Sequence, residues 1–156
     1  MSMAASIPEK AAELFLSGYN CAQSIYAAFA PQLGISEKQA AKMASALGGG
    51  LCRMRETCGA ISGGMMVLGA LKGYDTPDDE AKKILYARGQ RIMKQFKESF
   101  GTLNCLELLK LPKDGALSPI PTPRTREFYQ KRPCARFIFE MARLVEEELK
   151  LPDPAL

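Results

Sequence analysis

TPDDEAKKILYARGQRIMKQFKESFG, Thr76 to Gly101, sets the helical reading of this chain. Thr76 can cap a helix. Pro77 suits the first helical position, and Asp78, Asp79 and Glu80 place negative charge where the backbone N–H groups are unpaired. Nothing then interrupts the pattern until Gly101, so one helix is expected from Pro77 to about Phe100. Arg88, Arg91, Lys94 and Lys97 recur along it at three-residue spacing and form a basic edge. That edge reads as a solvated face, because no aromatic residues interleave it and no nucleic-acid motif accompanies it.

The same spacing of apolar residues continues on both sides. Upstream, Ile7 to Phe15 forms a helix with Pro8 near its start, and Gly18 interrupts it. Asn20, with Gln23 three residues on, is a capping-box signature for a helix from Cys21 to Ala30, which Pro31 and Gly34 end. Ser36 with Gln39 opens another helix towards Leu47. Gly48-Gly49-Gly50 breaks the chain, and three glycines in a row imply a backbone requirement. An apolar Gly- and Ala-rich helix follows from about Thr57 to Leu71. Gly59 and Gly63 share one of its faces, as do Ala60 and Gly64, so another backbone can approach closely.

Downstream, Asn104 with Glu107 starts a short helix from Cys105 to Lys110. The stretch Leu111 to Pro123 holds Pro112, Gly115, Pro119, Pro121 and Pro123 and reads as an irregular loop. A last helix runs from Pro133 to Lys150, and Pro152 and Pro154 prevent its continuation. No segment has strand periodicity. The expectation is an all-α protein: a compact bundle of about five to six helices in one domain spanning residues 1–156.

A chain of 156 residues with 47% hydrophobic content can bury a substantial core. Its net charge of +4 is too mild to name a partner. The N-terminal residues Met1 to Lys10 lack the pattern of a secretory signal. The most apolar run, Gly59 to Leu71, falls short of the ~20 residues needed to span a bilayer. A cytoplasmic protein with no membrane span is expected, where scattered cysteines serve more often as metal ligands, redox groups or core residues than as structural disulfides.

The chain has five cysteines and no histidine. A soft-metal site must therefore be built from thiolates, helped at most by carboxylates, and histidine acid-base chemistry is excluded. Cys21, Cys58, Cys105 and Cys134 each follow a residue that can begin a helix: Asn20, Thr57, Asn104 and Pro133. All four are expected in a first helical turn, where free N–H groups and the dipole stabilise thiolate or the sulfurs of an anionic cluster. Arg53 and Arg55 beside Cys52, and Lys131, Arg132 and Arg136 around Cys134, add to that bias. The triple glycine is not a phosphate loop, since no strand precedes it and no Gly-Lys-Ser/Thr ends it. Met43, Met54, Met65 and Met66 read as core filler.

The segments Gly18-Tyr19-Asn20-Cys21-Ala22-Gln23-Ser24, Gly48-Gly49-Gly50 leading to Arg53-Met54-Arg55-Glu56-Thr57-Cys58-Gly59-Ala60-Ile61-Ser62-Gly63, Phe100-Gly101 with Asn104-Cys105, and Arg132-Pro133-Cys134 together resemble the C_GCAxxG_C_C family, whose members are described as redox-active. The resemblance covers about Ala12 to Leu149. It implies that Cys21, Cys58, Cys105 and Cys134 are the characteristic four and that Cys52 is an extra thiol. Without a Cys-x-x-Cys-His, haem attachment is excluded.

Three mechanisms stay open. The four cysteines would ligate an iron–sulfur cluster for electron transfer, with a partner protein or small molecule as donor or acceptor. Alternatively they would work as a dithiol/disulfide couple, with Cys58 the low-pKa attacking thiol and Cys21, Cys105, Cys134 or Cys52 resolving it. The non-redox alternative is a helical interaction module with a structural four-thiolate zinc site or buried free cysteines.

Overall fold

The computed structural model describes residues 3–114 and 116–156; Gly115, expected in the proline-rich loop, lies outside the described residues. Among these residues there are nine α-helices and no strand. Six have seven residues or more: α1 (Ile7–Leu16), α2 (Cys21–Ala28), α4 (Glu37–Met43), α5 (Gly59–Lys72), α6 (Asp79–Phe100) and α9 (Cys134–Lys150). The short ones are α3 (Ala30–Leu33), α7 (Cys105–Leu109) and α8 (Arg126–Lys131), and a 3₁₀ turn occupies Ser45–Leu47. The all-α expectation holds.

Local chemistry accounts for most boundaries. Ser6 and Glu9 close a full capping box on α1, and Asn20 and Gln23 do so on α2. Asp78, not Thr76, caps α6, so that helix begins two residues later than expected. Gly101 ends it in the left-handed conformation. The expected Cys21–Ala30 helix divides at Phe29, and Pro31 enters the separate short helix α3. Helix α8, capped by Thr125, is unforeseen in the sequence reading.

Helix α2 lies at the centre. It packs on α5, α1 and α4, while α9 packs on α1, α5 and α6. The core joins Phe15, Ile25, Phe29, Ile61, Leu68, Phe96, Ile138 and Met141, all buried. Gly63 lets α5 approach α2: a Cβ there would lie 2.8 Å from the Ala22 carbonyl oxygen. Gly64 does the same for α9, with Met141 Cγ at 3.0 Å from such a Cβ. The small-residue face of α5 is therefore a packing surface.

The basic edge of α6 is a correction. Arg88 is not solvated; it is 2% exposed, and its guanidinium reaches Glu148 Oε1 at 3.1 Å and Asp153 Oδ1 at 2.7 Å. Arg91 joins the same carboxylate at 2.5 Å. This buried network ties α6 to the end of α9. No helix among the described residues is long and apolar enough to cross a membrane.

Candidate functional site

The backbone delivers the four dispersed cysteines from four separate helix starts. Cys21, Cys105 and Cys134 are the first residues of α2, α7 and α9, as expected. Cys58 is one position earlier, at the N-cap of α5, because Thr57 is engaged elsewhere: it forms an antiparallel bridge with Asn104. Around that bridge, the Cys58 N–H donates to Leu103 O at 2.9 Å and the Cys105 N–H donates to Glu56 O at 2.6 Å. Two cysteines nearly fifty residues apart are thus fixed by the main chain itself.

Glycine makes room for the others. A Cβ on Gly59 would lie 2.6 Å from Cys21 Sγ, and a Cβ on Gly50 would lie 2.8 Å from Cys105 Cβ. Cys21, Cys58, Cys105 and Cys134, with Leu108, Leu109 and Phe137, line one small cavity of about 20 Å³. That is room for about one water. Cys52 does not line it. Its exposed thiol donates to Ala46 O at 3.4 Å.

The electrostatics of these thiols differ from the expectation. Burial pushes Cys58 well above the ordinary thiol value, the neighbouring Cys21 adds to the shift, and the Ala60 N–H opposes it. Burial also raises Cys134 to about 12, again with Cys21 adding to it and Arg132 opposing. Cys105 is raised by burial, against the hydrogen bond it accepts from Arg55 Nη1 at 3.6 Å. Helix N-termini favour thiolate, but desolvation in a closed apolar cavity outweighs them here. Cys58 is accordingly not a low-pKa nucleophile.

Among the described residues, no group of three or more His, Cys, Asp or Glu is arranged to hold a metal ion. The four sulfurs share a cavity without converging on one ion.

Beside the sulfurs opens a larger cleft of about 380 Å³. Cys21, Cys105 and Cys134 lie on it together with Cys52, and four arginines line it: Arg53, Arg55, Arg124 and Arg132. Arg53 and Arg55 come from an unusual turn. Gly49, Gly50, Leu51, Cys52 and Arg53 are consecutive left-handed residues, and Arg55 is a sixth after Met54. Each non-glycine residue held this way costs ~1–2 kcal/mol. Hydrogen bonds from Cys52 N–H to Ala46 O at 2.8 Å, Arg55 N–H to Gly49 O at 3.0 Å and Glu56 N–H to Gly50 O at 2.9 Å hold the turn. The glycine triplet hinted at a special backbone here; nothing in the side chains of Leu51 to Arg55 announced it.

Both arginines reach the proline-rich segment that covers the cleft. Arg53 donates to Ser118 O and to Thr122 Oγ1, and Arg55 Nε donates to Ala116 O at 3.2 Å. Arg124, which the sequence reading did not single out, donates to Phe15 O at 3.3 Å and Tyr19 O at 3.2 Å and stacks on Phe15 and Phe128.

Comparison with known proteins agrees with the cysteine pattern. The family model described as "Putative redox-active protein (C_GCAxxG_C_C)" matches residues 19–148. The chain belongs to the C_GCAxxG_C_C family. The match takes in all five cysteines, the left-handed turn and the four arginines of the cleft. No curated protein and no solved structure matches the chain.

Proposed function

We propose that Cys21, Cys58, Cys105 and Cys134 act as one redox centre, as the ligands of an iron–sulfur centre for electron transfer. The observation that carries this reading is their meeting: four thiols from four helix starts line a single cavity. Their protonation supports it. Burial and the neighbouring thiols hold the protons of Cys58, Cys105 and Cys134 above the ordinary thiol value. A cationic centre relieves both costs and releases the protons.

The donor set fits such a centre by chemistry, since iron–sulfur clusters are held by cysteine thiolates and this chain has no imidazole. The glycine cradle at Gly50 and Gly59 leaves the sulfurs unencumbered. Holding the centre requires the side chains to turn and the 20 Å³ cavity to widen. When bound, the centre supplies one-electron chemistry. The protein's own groups hold its ligands: the Ala60 N–H faces Cys58, Arg55 donates to Cys105, and Leu108, Leu109 and Phe137 give the cavity an apolar wall.

A dithiol/disulfide couple is the second reading, favoured by one contact. Cys21 Sγ lies against Gly59, next to Cys58. Oxidation of that pair would form one S–S bond and pass two electrons and two protons to an acceptor.

Purification without oxygen, followed by iron, labile sulfide, visible absorption and a thiol count, tests both. Iron with sulfide and an absorption bleached by reductant supports the centre, and Cys58→Ser should abolish it while the helical circular dichroism survives; Cys52→Ser should leave it. Two thiols lost reversibly without metal would favour the couple. Zinc, or five inert thiols, would sink the redox reading.

A further inference from the structure

The arginine-lined cleft has a charge imbalance larger than the sulfurs beside it account for. Arg53, Arg55, Arg124 and Arg132 line it, and no carboxylate does. Among the described residues none of the four joins an ion pair; the salt bridges of the chain lie elsewhere. Only Arg55 donates to a cysteine sulfur. The other three make no hydrogen bond to a thiol, and the charge of Arg132 reaches Cys105 and Cys134 only through space.

Their positions are set in advance. Arg53 and Arg124 are fixed by the oxygens already named, and those bonds hold the guanidiniums still without neutralising them. Arg132 is the least committed. Its guanidinium makes no hydrogen bond among the described residues and stacks on the Phe128 ring at 5.2 Å. The cluster repels itself: burial lowers the Arg53 pKa, and the charges of Arg55 and Arg132 lower it further. Guanidinium forks match carboxylate and phosphate groups with two hydrogen bonds at once. The volume, about 380 Å³, is within the usual ~300–1,000 Å³ range of small-molecule sites. Phe15, Leu109, Phe128, Pro119 and Pro121 give the cleft apolar walls.

We propose that this cleft binds a small anion carrying two or more carboxylate or phosphate groups, gripped by Arg132 and Arg53 and held over Cys21, Cys105 and Cys134. The site would admit an acidic small molecule to the sulfurs and exclude neutral or cationic ones. Binding as such does not depend on what the sulfurs hold, so it can fail or succeed separately from the iron–sulfur reading.

Calorimetric titration of the full chain with citrate and, separately, with pyrophosphate tests the site. Saturable one-to-one binding that weakens with added salt is expected. Arg132→Gln should weaken it at least tenfold; this guanidinium makes no hydrogen bond among the described residues, and unchanged circular dichroism would confirm the fold. Arg132→Lys, which keeps the charge but loses the fork, is the second variant and should also bind more weakly than the parent. Arg143→Gln, remote from the cleft and paired with Glu140, should bind as the parent does. Bound anion should also slow alkylation of Cys52 at the cleft edge. Preference for pyrophosphate or for citrate would assign the acidic group. Failure of both anions to saturate, unchanged affinity in both cleft variants, or equal weakening in Arg143→Gln would overturn the proposal.

Discussion

A thiol at the start of a helix receives two opposed instructions, and Cys134 shows which prevails. Its backbone position favours thiolate, yet burial among apolar side chains holds the proton up to about pH 12. The sign for stability follows. The unfolded thiol ionises near its ordinary ~8.5, while the folded one keeps its proton, so the folded state is favoured below that value and loses this advantage as pH rises towards 12. The urea midpoint of the metal-free protein should therefore fall between about pH 9 and 12, and the fall should be shallower in Cys134→Ala. Pulsed alkylation read by mass spectrometry should label the exposed Cys52 first at neutral pH, with Cys58 and Cys134 slow until strongly alkaline. Equal labelling of all five would contradict the burial. Asn20 and Asn104 made the helix-start positions of Cys21 and Cys105 readable, because capping is a local event. The direction of the pKa shifts was not readable, because it depends on residues such as Leu108 and Phe137 that folding brings in.

Helix α5 carries glycines with opposite meanings. At Gly63 an added methyl would meet the Ala22 backbone at 2.8 Å, and backbone cannot swing aside. Gly63→Ala should cost ~1–3 kcal/mol by overpacking the α2–α5 contact. At Gly69 no atom lies within 4 Å of such a methyl. Gly69→Ala should instead raise stability by ~0.5–1 kcal/mol through helix propensity. Urea unfolding of the two variants checks both signs. The left-handed turn offers a third test. Leu51 is 41% exposed, so its side chain contributes little while its backbone is strained. Leu51→Asn, a residue that tolerates this conformation, should stabilise by up to ~1 kcal/mol. The four-residue repeat of small residues on α5 was legible as a packing face. The turn was legible only as a break, since handedness leaves a trace in glycine and none in leucine, cysteine or arginine.

Across the whole molecule, the α6–α9 junction concentrates charge where the core would otherwise be apolar. Arg88 and Glu148 are each 2% exposed and partner one another. Removing Arg88 leaves Glu148 buried with only the partly exposed Arg91 as its partner, so Arg88→Met should cost ~2–4 kcal/mol, against less than ~0.5 kcal/mol for Lys94→Ala on the same helix. Thermal or urea unfolding distinguishes the two. Sequence periodicity placed Arg88, Arg91, Lys94 and Lys97 along one edge but could not say which part of that edge faces α9. The answer lies in Glu148 and Asp153, some sixty residues away, and long-range pairing has no local signature. The assembly of the four cysteines was foreshadowed differently: the recurring cap-then-cysteine pattern and the family resemblance both anticipated a shared site, though neither foretold the arginine cleft beside it.

The arginines that fasten the proline-rich segment do so mainly through its peptide oxygens. Arg55 holds the carbonyl of Ala116 and Arg53 that of Ser118, and Arg124 anchors the segment's far end on the carbonyls of Phe15 and Tyr19. Every residue type supplies a carbonyl, whereas only arginine supplies the fork. The covering segment is thus free to drift in composition, provided its path is kept, while its fasteners are not. A saturation-mutagenesis library scored for folded protein should find positions 116 and 118 broadly permissive and positions 53, 55 and 124 intolerant. The reverse pattern would mean that the segment's side chains, not its peptide backbone, hold it down.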